Sequence, residues 1–284
     1  MHSGSETSQA IDDALEVQYA LRQRHPERDD IYRDHQERSL ALRAAADCQL
    51  DLRYGGGPRC LLDVFPAGKG APVFFFIHGG YWRALDKSYV SFIAEHYRKA
   101  GMTVVMPTYD LVPAVRVGDI IEQIRAAFVW TLSSLGPRHV VVSGHSAGGH
   151  LAAMLALDQA VQGAGPIVGL VGVSGAFDLR PLLKTSINRD LMLSAEDASD
   201  ASPLLRLNRL PAGAHLVPLL GIVGSDETAG FKRWTSDLVA DWRIHGGVAS
   251  YCEIPGSNHF TVLDRIAEAD GKVLRAVTEM IGGA

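Results

Sequence analysis

His139-Val140-Val141-Val142-Ser143-Gly144-His145-Ser146-Ala147-Gly148 is the stretch on which the fold of this chain turns. Its first half is a short β-branched run, apolar enough to be buried on both faces of a sheet. The residues that follow, 146–159, have helical spacing. A strand that passes into a helix through a single serine must turn sharply. The positions two before and two after that serine then have no room for side chains, and here both are glycine. The pattern sets a hydroxyl above the edge of a sheet at the N-terminus of a helix, where unpaired N–H groups converge.

Working outward, short apolar runs at 73–77, 103–106, 139–143, 167–173, 217–223 and 249–254 alternate with helical stretches at 88–100, 119–135, 146–159, 228–245 and within 260–281. Continuously apolar strands separated by helices predict a mostly parallel sheet with helices on both faces, a doubly wound α/β architecture. Residues 49–54 and 60–65 flank Gly55-Gly56-Gly57-Pro58 and read as two strands and a turn. Upstream, Ile11, Leu15 and Tyr19, then Ile31, His35, Leu40 and Leu42, mark two helices separated at Pro26. The predicted organisation is an N-terminal helical arm over 1–45 and one α/β domain over 46–284. Residues 174–214 break the alternation, and we read them as a small helical cap at the carboxyl edge of the sheet, where open α/β sheets place ligands.

Composition narrows the function classes. The chain has 284 residues, 47% hydrophobic and 21% charged, with 27 Lys and Arg against 32 Asp and Glu. A mild net negative charge of -5 and the lack of a basic stripe argue against a nucleic-acid partner. Residues 1–9 are polar and no run approaches the length of a membrane span, so the expectation is a cytoplasmic protein acting on a small molecule. Cys48, Cys60 and Cys252 form neither a disulfide framework nor a zinc pattern. His145 and His150 lack the spacing of a helical metal pair, and Gly163-Ala164-Gly165 does not complete a dinucleotide fingerprint. No cofactor and no metal are expected, and the sequence is silent on oligomeric state.

Hydrolytic chemistry built on Ser146 needs a base, an acid to orient it and donors for an oxyanion. His259 is the expected base, because it follows the strand at 249–254 through Pro255-Gly256-Ser257-Asn258. Asp226, directly after the strand at 217–223, is the favoured acid, with Asp178 as its main competitor and Glu227 as a weaker one. The oxyanion donors are the amide of Ala147 and those of Gly79 or Gly80 in His78-Gly79-Gly80-Tyr81-Trp82, with His78 a structural residue. Tyr81, Trp82 and Phe177 are candidate walls of the substrate pocket.

Together these motifs resemble the serine-dependent arylformamidase (kynurenine formamidase) group of the α/β-hydrolase fold, near the hormone-sensitive-lipase-like esterases. The residues that carry the resemblance are His78 to Trp82, Gly144 to Leu151, Ser174-Gly175-Ala176-Phe177-Asp178-Leu179-Arg180-Pro181-Leu182, and Asn188 with Ser202-Pro203. The resemblance implies hydrolysis of N-formyl-kynurenine to kynurenine and formate, with Ser146, Asp226 and His259 as the triad. The alternative is a carboxylesterase for short-chain esters. A substrate carboxylate would call for a cation, and Arg83, Arg180, Lys184 and Arg189 are the candidates.

Overall fold

A computed structural model describes residues 10–162 and 165–284; the polar start and Gly163-Ala164 lie outside the described residues. The chain opens with α1 (Asp13–Tyr19) and α2 (Arg28–Ala45), parted at Pro26 as predicted. The sheet strands are β1 (Gln49–Arg53), β2 (Leu61–Phe65), β3 (Val73–Ile77), β4 (Thr103–Pro107), β5 (Val140–His145), β6 (Ile167–Val173), β7 (Leu219–Gly224) and β8 (Ala249–Ile254). Between and after them run α3 (Ala94–Lys99), α4 (Val117–Leu135), α5 (Ala147–Gln162), α6 (Asn188–Leu191), α7 (Ala195–Asp200), α8 (Pro203–Leu207), α9 (Ala229–Ile244), α10 (Val262–Ile266) and α11 (Lys272–Gly282).

The eight strands lie in the order β1-β2-β4-β3-β5-β6-β7-β8, and only β2 runs against the others. Side chains alternate across this sheet, as strand geometry requires. Val73, Phe75 and Ile77 of β3 join Val140 and Val142 of β5 on the face covered by α4, α5 and α9. Phe74 and Phe76 join Val141 on the opposite face, under α3, α10 and α11. Because β3 and β5 are buried on both sides, their sequences read as unbroken apolar runs.

Two predicted helices differ in form. The stretch at 88–100 begins as 3₁₀ turns at Lys87–Tyr89 and Ser91–Ile93 before α3. There α2 takes over the local bonding, since the Phe92 N–H donates to the Ser39 hydroxyl at 3.1 Å and the Ser91 hydroxyl caps the Lys87 carbonyl at 2.9 Å. The terminal stretch divides into α10 and α11, separated by a turn in which the Gly271 N–H meets the Glu268 carbonyl. In the region at 174–214, a 3₁₀ turn at Arg180–Lys184 precedes α6, α7 and α8, and α8 packs on α5 and α9.

The two arm helices diverge: α2 starts against the same core as α1, through Ile31 and Tyr32, and reaches the other face at Leu42. Tyr19, at the end of α1, stacks on Trp234 of α9 with ring centroids 4.2 Å apart, while α2 packs against the turns at 87–93. The connection between them therefore crosses the carboxyl edge of the sheet. Tyr19→Ala removes a buried ring and its stacking partner and is expected to cost about 3 kcal/mol of stability. Urea denaturation measures this; an unchanged midpoint would mean that the arm contributes nothing to the fold.

Candidate active site

The turn after β5 has the strained geometry its sequence implies. Ser146 has φ of 55°, in the left-handed region, and its N–H is held by the Val173 carbonyl at 2.9 Å. A Cβ on Gly144 would lie 2.2 Å from the Gly148 carbonyl oxygen, and one on Gly148 would lie 2.0 Å from that of Ile77. Both glycines are thus required by contact. Ala147 is the first residue of α5, so its N–H has no acceptor within the helix.

The loop after β3 presses on this turn. A Cβ on Gly79 would come within 3.1 Å of the Ser146 Cβ, so this backbone approaches the serine as closely as a glycine permits. The Gly79 carbonyl is turned away, accepting a bond from His78 Nδ1 at 2.7 Å. The Tyr109 hydroxyl donates to the His78 carbonyl at 3.1 Å, and its ring stacks on the His78 imidazole at 4.4 Å. Gly80 has φ of 112°, a conformation closed to side chains, and Tyr81 and Trp82 continue the turn with positive φ.

His259 is buried at the end of the connection that follows β8, with its ring 4.4 Å from Phe231 and 4.6 Å from His145. Its Nδ1 lies 2.7 Å from a carboxylate oxygen of Glu227. The other oxygen of that carboxylate accepts bonds from the Gly224 N–H at 2.8 Å and the Ser174 hydroxyl at 2.5 Å. Asp226, the acid expected from the sequence, is exposed and accepts a bond from Ser225 at 2.8 Å. The physical reason is the turn that follows β7. The Glu227 N–H closes back on the Gly224 carbonyl at 3.2 Å, which puts Asp226 at the solvent tip and returns Glu227 to the sheet edge. Asp178 is bound to Arg180 through two bonds of 2.9 and 2.7 Å and is also away from His259.

Ser146 and His259 open onto one cavity of about 500 Å³, which Gly79, Gly80, Tyr81 and His145 also line. Two expected pocket residues are not part of that lining. Trp82 is fully buried and packs edge-on against His150 at 5.0 Å, and Phe177 is fully buried against Gly172 and Gly175. Both are core residues whose aromatic character reflects packing. Tyr81 does line the cavity, and its hydroxyl donates to the Tyr19 carbonyl at 2.7 Å. Sequence reasoning missed the arm: Glu16, Leu21, Arg22, Tyr32 and His35 are all on the cavity wall, and amphipathic spacing carries no signal for such a role.

Of the cations weighed, Arg83 is paired with Asp190 and Arg180 with Asp178; Arg189 lines the cavity, and Lys184 does not. Asp34, His35 and Asp264 bring ligand atoms within 4.8 Å of one another, but Arg38 donates to both carboxylates, so the group is an ion-pair network with its own countercharge. Among the described residues, no helix is long and apolar enough to cross a membrane.

A family model described as alpha/beta hydrolase fold matches residues 74–260. The chain belongs to the α/β-hydrolase family. Among curated proteins, it is 28% identical over 267 residues to a kynurenine formamidase of Salmo salar, covering 89% of this chain and 90% of that one. The corresponding protein of Danio rerio is 27% identical over 284 residues, covering 95% and 96%. A solved structure described as a candidate thioesterase from Silicibacter sp. TM1040 superposes with a TM-score of 0.83 at 29% identity, covering 93% of this chain and 98% of that one. This α/β hydrolase is therefore an arylformamidase-like or esterase-like enzyme.

Three histidines around the site are buried and uncharged. Burial pushes His78 and His150 down to about 4, and burial together with the neighbouring His259 holds His145 well below its ordinary value. In the unfolded chain these groups take up protons near pH 6.5, whereas in the folded protein His78 and His150 resist until about pH 4 and His145 is held down in the same direction. The unfolded state thus binds more protons across that window, and stability falls as pH drops through it, by up to about 1.4 kcal/mol per pH unit for His78 and for His150. Denaturation midpoints between pH 7.5 and 4 check this; a flat profile contradicts it.

Proposed function

We propose that this hydrolase cleaves a small aryl formamide, N-formyl-kynurenine, to kynurenine and formate through a formyl-enzyme on Ser146. The Ser146 oxygen attacks the formyl carbon as its proton passes to His259. Glu227, bound at Nδ1, fixes the tautomer that leaves Nε2 free to accept that proton and stabilises the imidazolium. This replaces Asp226 by Glu227 as the acid of the triad. The amides of Ala147 and of Gly79 or Gly80 receive the oxyanion, and a single donor of this kind is typically worth about 10²–10³ in kcat. Protonation of the aryl nitrogen by the imidazolium releases the amine. Water, activated by the same histidine, then attacks the formyl ester; formate leaves and Ser146 recovers its proton.

The observation that carries the formamide reading is Tyr81. It follows the oxyanion glycines directly, lines the cavity and is tied through its hydroxyl to the Tyr19 carbonyl, so its ring is a fixed wall beside the acyl position. A fixed aromatic wall there favours the smallest acyl group. The near full-length match to two kynurenine formamidases supports the same reading. By contrast, the 27% identity to the esterase LipC of Mycobacterium tuberculosis spans 59% of that protein.

Turnover of N-formyl-kynurenine and of short-chain p-nitrophenyl esters, measured side by side, tests the substrate. The formamide is expected to have the higher kcat/KM; an ester preference of orders of magnitude would make the protein a carboxylesterase with the same machinery. Ser146→Ala should abolish both activities. Glu227→Gln is expected to lower kcat by about 10³–10⁴, as loss of the orienting acid does in serine hydrolases. Asp226→Asn should stay within a few-fold of wild type, and the reverse ranking would restore Asp226.

A further inference from the structure

The cavity carries charges that cleavage of a formyl group does not use. On its wall, Arg28 is paired with Asp29 at 2.7 Å, and Arg83 is paired with Asp190. Arg189, in α6, is exposed on the same wall and has no carboxylate partner among the described residues. Glu16, in α1, faces the cavity from the arm, with one carboxylate oxygen 2.7 Å from the Ser186 N–H and the other 2.5 Å from the Ser186 hydroxyl. It too lacks an oppositely charged partner among the described residues.

The segments that carry these two unpaired charges meet at one residue. Ser186 grips the Glu16 carboxylate, and its own carbonyl accepts the backbone N–H of Arg189 at 3.2 Å. Both residues line the one cavity, and among the described residues they form no ion pair with each other. The two bonds from Ser186 hold the carboxylate and leave it lone-pair capacity for a further donor. The Arg189 guanidinium keeps all its donors for a planar, bidentate acceptor. Arg22, the other unpaired guanidinium on the wall, hangs from the connection between α1 and α2 and has no such tie to Glu16.

We propose that Glu16 and Arg189 form a clamp for an α-amino-acid zwitterion, Arg189 taking the carboxylate and Glu16 the ammonium of a substrate whose acyl group reaches Ser146. An α-amino acid separates its two charges by one carbon, so it needs opposite charges side by side that do not quench each other. The reacting group rests on the formamidase reading; the clamp itself does not.

Calorimetric titration with L-kynurenine, its decarboxylated amine and its deaminated acid tests the clamp without requiring turnover. Arg189→Gln is expected to weaken L-kynurenine and the deaminated acid at least tenfold and to leave the decarboxylated amine unchanged. Glu16→Gln, which keeps an oxygen for Ser186, should weaken the two amines and spare the deaminated acid, with its thermal midpoint measured alongside. The clamp is overturned if L-kynurenine does not bind the wild type, if the decarboxylated amine binds it equally well, or if Arg189→Gln binds L-kynurenine normally. Arg189-dependent binding of L-kynurenine without cleavage of N-formyl-kynurenine keeps the clamp and removes the formamidase reading. Cleavage with a KM indifferent to Arg189→Gln does the reverse.

Discussion

The Glu227 carboxylate ties together the ends of three strands. Its bonds reach the Gly224 N–H at the end of β7, the Ser174 hydroxyl just beyond β6, and His259 after β8. A buried carboxylate is costly unless its lone pairs find donors, and these three bonds meet most of that need. The same bonds hold three separate connections in register at the sheet's carboxyl edge, where the Ser146 turn also emerges. Removing this carboxylate would leave both an unsupported imidazole and two orphaned donors, so the site and the local fold share one constraint.

The packing around the Ser146 turn is a second expression of close approach. β3 and β5 are adjacent in the sheet, so the loop after one and the turn after the other must meet, and they do so with glycine facing glycine. His78 and Tyr109 then fix the peptide of Gly79 by engaging its carbonyl side. Because burial holds His78 neutral, it can donate from Nδ1 without bringing a buried charge beside the Ser146 turn. His145 likewise serves as a neutral strut, its Nε2 donating to the His259 carbonyl at 2.7 Å. His78, His145 and His150 are thus held by backbone carbonyls, and His259 is bonded to the Glu227 carboxylate.

The parts of this arrangement that were legible in the sequence are those fixed by local rules. Runs such as Val73–Ile77 announce strands buried on both faces, and the glycines around Ser146 announce a backbone with no room for side chains. The carboxylate partner of His259 was not legible in the same way. Asp226 and Glu227 are neighbours, both within reach of the sheet edge, and the choice between them depends on one hydrogen bond closing a four-residue turn. Trp82 and Phe177 follow functional motifs and look like pocket walls, but their rings complete the core beneath the motifs. Aromatic residues next to a site carry no mark that says which side of the backbone they occupy.

The N-terminal arm was the least legible element, and the reason is topological. Its helices have ordinary amphipathic spacing, which predicts that they pack somewhere and leaves open where. The structure places α1 against α9, while α2 passes from that core at Ile31 and Tyr32 to the turns at 87–93 and the opposite face at Leu42. A chain that joins two faces there has to pass over the cavity, and residues 20–23 line it as a result. The anchors on either side of that passage are specific: the Gln18 carbonyl and amide oxygen accept bonds from Thr228 and Gly230, directly after Glu227, while Glu16 holds Ser186. The arm therefore braces the segment that carries Glu227 and supplies part of the cavity wall. The arm and the insertion after β6, through Ser186, Ile187, Arg189 and Asp190, enclose the cavity together.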